Sequence, residues 1–318
     1  NIYKGVNLKD IWSPKKKSIE AIIHTFLAIL YAKKIKADII HIHSIGPAIL
    51  VPLAKFLRLN VVVTHHSLNY FHEKWGSFAK FMLRSGEKFT AKYADEIIVI
   101  SPILIDSLLN YSKGDNINII FNGVNKPQIT QSHTYIKSLG LESKKYIIAL
   151  GRFVEEKGFH NLVEVYSRSR LKNNFKLVIA GDADHETEYS KKLKQQANNN
   201  NVILTGFIKG DKLNELMSNA LLFTLPSFHE GLPISLLEAM SYELDVLVSN
   251  IPANLEIGLK KDDYFNPYDL TDFQEKFERK FSNDIPSSRV YDLSKYDWDN
   301  ISLQTLEVYN KVYNKSKD

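Results

Sequence analysis

The chain contains no cysteine, which rules out a disulfide framework and suits a reducing, cytoplasmic setting. Long apolar runs are missing too. The longest, residues 19 to 32, is interrupted by Glu20 and His24 and is too short to span a bilayer, so it reads as an amphipathic or buried helix. No signal peptide is evident. There is no short internal repeat or low-complexity tract, although the four asparagines Asn198 to Asn201 mark a loop. No recognition module for nucleic acid accompanies the basic residues, which argues against such a partner.

With 318 residues the chain supports about two domains. Its net charge of +5 is unevenly spread: residues 1 to 125 carry 16 Lys and Arg against 9 Asp and Glu, including Lys4, Lys9, Lys15, Lys16, Lys17, Lys33, Lys34 and Lys36. A basic half of this kind can dock on an anionic leaflet, at about 1 kcal/mol per cation near the surface. A solvated basic face explains it equally well.

The most informative run is Pro226-Ser227-Phe228-His229-Glu230-Gly231-Leu232-Pro233-Ile234-Ser235-Leu236-Leu237-Glu238-Ala239-Met240. Residues 220 to 225 before it are apolar and end at Pro226, as a buried strand does. Pro233 fits the first turn of a helix, where its missing N–H costs nothing, and apolar residues recur at helical spacing from Ile234. Strand, turn and helix in this order leave free N–H groups and a partial positive charge facing the turn, which suits a phosphate or a sugar oxygen. Glu238 lies roughly 10 Å along the helix from the turn, so the two acids can hold different parts of one extended ligand, each accepting paired hydrogen bonds from a diol. Glu230 as a plain helix-dipole partner, and Glu238 as a solvated residue, remain open on spacing alone.

A second run has the same layout. Lys145 to Leu150 reads as a strand, Gly151-Arg152-Phe153-Val154-Glu155-Glu156-Lys157-Gly158 as a loop, and His160 to Tyr166 as a helix. Arg152 and Lys157 thus follow the carboxyl end of a strand, where open α/β sheets bind ligands. Two cations there can neutralise a diphosphate through charge-assisted hydrogen bonds of about 1.5–3 kcal/mol each. Taken alone, the loop could equally be exposed, its cations matched by Glu155 and Glu156.

These stretches, with Phe121-Asn122-Gly123-Val124 before the second domain, resemble the family 4 glycosyltransferases, retaining enzymes of the GT-B fold. The resemblance covers nearly the whole chain. Ile40-His41-Ile42-His43-Ser44-Ile45-Gly46-Pro47-Ala48 and Val62-Val63-Thr64-His65-His66 are further similar to bacterial enzymes that extend lipid-linked polysaccharide repeats, rhamnosyltransferases among them. The resemblance implies an α/β architecture of two Rossmann-like domains, their parallel sheets facing a cleft. It implies sugar transfer from a nucleoside diphosphate sugar to a saccharide acceptor, lipid-linked on a polyprenyl diphosphate, with peripheral association at the inner face of the plasma membrane. Arg152 and Lys157 would hold the diphosphate and Glu230 would orient the donor sugar. The backbone around Gly231, Leu232, Pro233 and Ile234 would bind sugar and phosphate, and Glu238 the ribose. Phe207 and Ile208 would line the base pocket. His66 would stand near the reacting carbon, with His65 beside it leaving the register open by one. His41 reads as a buried structural histidine. Phe71-His72-Glu73-Lys74-Trp75-Gly76 would border the acceptor. No metal and no other cofactor is expected, since Asp182-Ala183-Asp184 falls where the family has a turn.

The expected organisation is an acceptor-side domain over residues 1–125, a donor-binding domain over 126–297, and a terminal helix over 298–318 that returns to the first domain. Residues 1 to 12 look like a later strand of the first domain, whose opening strand and glycine-rich loop are missing from the pattern, so a fragment of a longer protein is expected. Two rivals stand beside the transferase. A phosphorylase or epimerase would share the architecture, but no lysine site for a pyridoxal cofactor is identifiable. A non-catalytic subunit that binds a nucleotide sugar or a partner glycosyltransferase fits the missing loop.

Overall fold

The computed structural model describes residues 2–14, 20–67, 76–112, 114–281 and 288–317. The chain forms two compact units, residues 1–122 with 299–318, and residues 123–298.

Unit 1 begins with β1 (Ile2–Tyr3) and β2 (Val6–Asn7), an antiparallel pair. The strand expected over residues 1 to 12 is therefore an exposed hairpin. Lys4 and Gly5 both have positive φ, 47° and 83°, which is the requirement of a two-residue hairpin turn. Alternating Ile2 and Val6 imitate a core strand without reaching a core. Then follow α1 (Glu20–Lys34), β3 (Ile40–His43), α2 (Val51–Phe56), β4 (Val61–His65), α3 (Ser77–Tyr93), β5 (Glu96–Val99), α4 (Ile105–Leu109) and β6 (Ile117–Ile119). The strands form a parallel sheet in the order β3-β4-β5-β6. All five residues of β4 are buried, as its β-branched run requires of a strand covered on both faces.

Unit 2 contains α5 (Thr134–Ser138), β7 (Tyr146–Leu150), α6 (Phe159–Arg168), β8 (Lys176–Ala180), α7 (Glu188–Asn199), β9 (Ile203–Leu204), α8 (Asp211–Asn219), β10 (Leu222–Leu225), α9 (Ile234–Ser241), β11 (Asp245–Ser249), α10 (Pro252–Leu255), β12 (Tyr264–Phe265) and α11 (Leu270–Lys280). Its parallel sheet runs β12-β11-β10-β7-β8-β9. The chain winds outward from β7 through β8 to β9, then returns to β10 beside β7 and winds outward the other way. The switch point thus lies between β7 and β10, where an open α/β sheet leaves a crevice for ligand. The core packs α6 and α11 against the strands, with Phe265 and Phe273 stacked 3.7 Å apart. Lys280 and Arg289 each bridge Asp245 and Asp263 at 2.7 to 2.9 Å, tying the segment after α11 to the sheet.

The last helix, α12 (Trp298–Lys315), completes unit 1. Its Ile301, Val308 and Val312 form one core cluster with Val62, Ile98 and Ile120. Lys311 and Lys315 reach the fully buried Glu96 at 2.8 and 3.1 Å. Burial alone would raise the pKa of Glu96, but the Lys311, Asn118 and Lys315 hydrogen bonds outweigh it and hold the carboxyl below its ordinary range.

Candidate functional site

The loops after β7 and β10 meet. Gly151 leads from β7 through Arg152 and Phe153 to a 3₁₀ turn, Glu155–Lys157, and Gly158 then turns the chain into α6. Gly158 has φ +64°, and a β-carbon there would stand 2.1 Å from the carbonyl oxygen of Pro226. Only glycine combines that backbone with that approach. Phe228 N–H donates to the Glu156 carbonyl at 2.8 Å, which joins the loops a second time.

Across this seam Lys157 Nζ donates to Glu230 Oε1 at 2.6 Å, and Ser227 Oγ donates to the same oxygen at 2.6 Å. The Lys157 and Glu230 side chains are only 17% and 10% exposed. The lysine therefore enters the site oriented, with further N–H bonds available to an anion. Arg152 lies differently: it pairs with Asp184 at 3.0 Å, the two side chains being 57% and 65% exposed. Asp182, two residues earlier, bonds Lys194 at 2.8 Å, and that bond, with the Ala183 N–H, keeps its pKa below the usual value. The two aspartates thus face different cations.

After Glu230 the chain passes Gly231 and Leu232 to α9. Pro233 sits at the N-cap, one position before the first helical residue, rather than inside the first turn. Of the backbone donors expected between Gly231 and Ile234, two are excluded: proline has no N–H, and Ile234 N–H bonds the Leu232 carbonyl at 2.9 Å. The N–H groups of Gly231 and Leu232 have no acceptor among the described residues, and they precede the positive end of α9. The Ser235 hydroxyl in the first turn of α9 is buried with no partner among the described residues. Buried hydroxyls are rarely left unpaired, so this one is available to a ligand. Ser227 and Ser235 both escaped the sequence reading, although each lies within the run that drew attention to Glu230.

Glu238 is half-buried on α9, and burial raises its pKa. A diol donating to it would offset that desolvation. Phe207 follows Gly206 just beyond β9 and is 79% exposed, and Ile208 beside it is half-buried. Phe207 offers an open stacking surface rather than the wall of a closed pocket.

Unit 1 carries histidines at the carboxyl ends of β3 and β4. His65 is buried and its Nε2 pairs with Glu87 at 3.2 Å, whereas His66 Nε2 faces His43 Nδ1 at 3.1 Å. His66 is thus the one turned toward the other imidazoles at the strand end. His43 stacks on His41 at 4.2 Å. His41 is half-buried and held at both nitrogens, by Tyr309 OH at 2.6 Å and Thr64 Oγ1 at 2.7 Å. Burial, reinforced by neighbouring imidazoles, lowers His41 and His66 to about 4, and burial also lowers His43. The row is neutral at physiological pH. Phe71, His72, Glu73, Lys74 and Trp75, expected to border an acceptor, and Lys15, Lys16 and Lys17 of the basic half, lie outside the described residues.

The sequence profile described as "Glycosyl transferases group 1" matches residues 131–292, and that described as "Glycosyltransferase Family 4" matches residues 4–126. Among curated proteins, the uncharacterized glycosyltransferase MJ1607 of Methanocaldococcus jannaschii is 28% identical over 67% of this chain and 59% of its own length. The serotype-specific mannosyltransferase WbdA of Escherichia coli is 25% identical over 71% of this chain and 28% of its own. The chain therefore spans less than two thirds of the length of these relatives. Among solved structures, sucrose-phosphate synthase (tll1590) from Thermosynechococcus elongatus superposes with a TM-score of 0.78 at 20% identity, covering 96% of this chain and 81% of that one. Anabaena Alr3699/HepE in complex with UDP gives 0.74 at 17% identity, over 92% and 84%. At such identities the likeness speaks to the fold.

Proposed function

The chain belongs to the group 1 glycosyl transferases, with the GT-B fold, and on that premise we propose that it transfers a sugar, with retention, from a nucleoside diphosphate sugar to a saccharide acceptor. The observation that carries the reading is the junction of the loops after β7 and β10 at the switch point, where Lys157 is pre-oriented by Glu230.

In this reading Lys157 and Arg152 bind the diphosphate, assisted by the N–H groups of Gly231 and Leu232 and the hydroxyl of Ser235. Glu230 orients the donor sugar, Glu238 takes the ribose hydroxyls, and Phe207 and Ile208 contact the base. From unit 1, His66 is assigned to the reacting sugar. The bond from the anomeric carbon to the β-phosphate oxygen breaks with its electron pair leaving on the diphosphate. The acceptor hydroxyl oxygen bonds the same face of that carbon, and its proton passes to the departing phosphate. Catalysis rests on positioning and on stabilising the leaving charge. The cations of the β7 loop meet that charge without a metal ion, so metal-independent transfer is part of the proposal. The relative named as a mannosyltransferase supports a hexosyl donor, and rhamnosyl transfer and a surface-polysaccharide acceptor linked to polyprenyl diphosphate complete the proposal. The cationic excess of residues 1 to 125 supports peripheral contact with an anionic membrane.

Calorimetry with UDP, dTDP and GDP tests the donor site. Selective binding of one nucleotide is expected, abolished in Lys157→Ala and weakened about tenfold or more in the exposed Arg152→Ala. Failure of all three nucleotides to bind, or equal binding by both variants, refutes the site.

A further inference from the structure

We propose that His43 is a positioning residue that fixes the tautomer of His66, leaving His66 Nδ1 as a hydrogen-bond acceptor for a sugar hydroxyl. The proposal rests on the assignment of His66 to the reacting sugar, and adds a residue that the assignment does not contain.

The argument begins with proton counting. His43 Nδ1 and His66 Nε2 are 3.1 Å apart, with the rings inclined by only 23°. Two neutral imidazoles at that distance bond only if one nitrogen carries a proton and the other does not. Their tautomers are therefore coupled, and the free nitrogen of each ring is set by the shared bond. Charging either ring is opposed by burial, reinforced at His66 by the imidazoles of His43 and His65. The neutral pair is the relevant state.

Neutral imidazole by itself favours the proton on Nε2. With His66 donating from Nε2 to His43 Nδ1, both rings adopt that preferred form, and His43 Nε2–H is left for solvent at its exposed edge. His66 Nδ1 then carries a lone pair. The opposite assignment would place the proton of both rings on Nδ1, and so forces two disfavoured tautomers at once.

His43 can serve as a reference because it is itself held. It stacks on His41, which is locked at both ring nitrogens by Thr64 and by Tyr309 of α12. Thr64 and His66 belong to the same stretch of chain, so the row closes on itself. A side chain oriented through such a chain of contacts loses its reference when one link is removed, although the fold is kept.

The decisive measurement is the ¹⁵N spectrum of the imidazoles in the ligand-free chain. In the wild type, His66 is expected to show a pyridine-like Nδ1 and a protonated Nε2. His43→Ala should move both nitrogens toward tautomer-averaged shifts, and His43→Asn, whose side-chain oxygen sits near the former Nδ1, should restore the wild-type pattern. A wild-type His66 protonated on Nδ1, or shifts that do not respond to His43→Ala, overturns the proposal. Affinity for UDP-glucose relative to UDP, or GDP-mannose relative to GDP, supplies the functional readout. That ratio should fall about tenfold in His43→Ala, the worth of one hydrogen bond, with binding of the bare nucleotide unchanged. Loss of nucleotide binding in the wild type would instead refute the donor site, and an unchanged ratio in His66→Ala would refute the assignment of His66. In either case the tautomer measurement still decides the role of His43.

Discussion

At the carboxyl ends of its strands unit 2 carries charge, whereas unit 1 carries neutral rings. The loops after β7, β8 and β10 hold two cations and two acids in two ion pairs, Lys157 with Glu230 nearly buried and Arg152 with Asp184 open to water. The β3 and β4 ends hold three imidazoles whose pKa values burial lowers, with neighbouring imidazoles adding to the effect at His41 and His66. Paired charges suit an anionic group, whereas neutral rings offer fixed donors and acceptors without a strong field.

The sharpest way to break the contrast is to remove one partner of the enclosed pair. Glu230→Ala leaves Lys157 surrounded by protein with no counter-charge, and is expected to destabilise unit 2 by about 3–5 kcal/mol. Urea unfolding read through unit 2 amides checks this, and a loss under about 1 kcal/mol would mean that water reaches the ammonium freely.

Acid should act on unit 1 next most strongly. His41 and His66 have folded values of about 4 against an ordinary 6.5, so the unfolded chain binds more protons between those values. Their contribution is complete above pH 6.5 and is lost as pH falls toward 4. About 2 kcal/mol is expected over this window, discounted because both rings are partly solvated. Hydrogen exchange of β3 and β4 against pH follows it, and His66→Asn should flatten the slope. A pH-independent wild type would show the row to be charged or open.

The smallest effect sharpens the comparison from the other side. Arg152→Ala removes an exposed pair, so stability should change by less than about 0.5 kcal/mol, and a larger thermal shift would mean that Arg152 supports the fold.

How far these features were legible depends on the distance over which they act. The strands β7 and β10 are short apolar runs closed by glycine and proline, and they stand where those runs predict them. Likewise the two loops that carry Arg152, Lys157 and Glu230, and the helix α9 that carries Glu238, lie within the segment matched by the family profile. What could not be read is contact between distant segments. Lys157 and Glu230 are 73 positions apart, and nothing in either run says that they pair. His41 looked like a plain core residue because its partner Tyr309 is 268 positions away. The hairpin at the start departs from the expected strand for a different reason: an extended apolar pattern does not say whether either face is covered.

Unit 1 is interrupted by unit 2, and its core closes only with Ile301, Val308 and Val312 of α12. On the ribosome, the continuous unit 2 can finish folding while unit 1 still waits for its last helix. Until Lys311 and Lys315 emerge, Glu96 has no cation of its own to meet inside the sheet. Unit 1 thus becomes stable after unit 2, and the emergence of α12 serves as its folding signal.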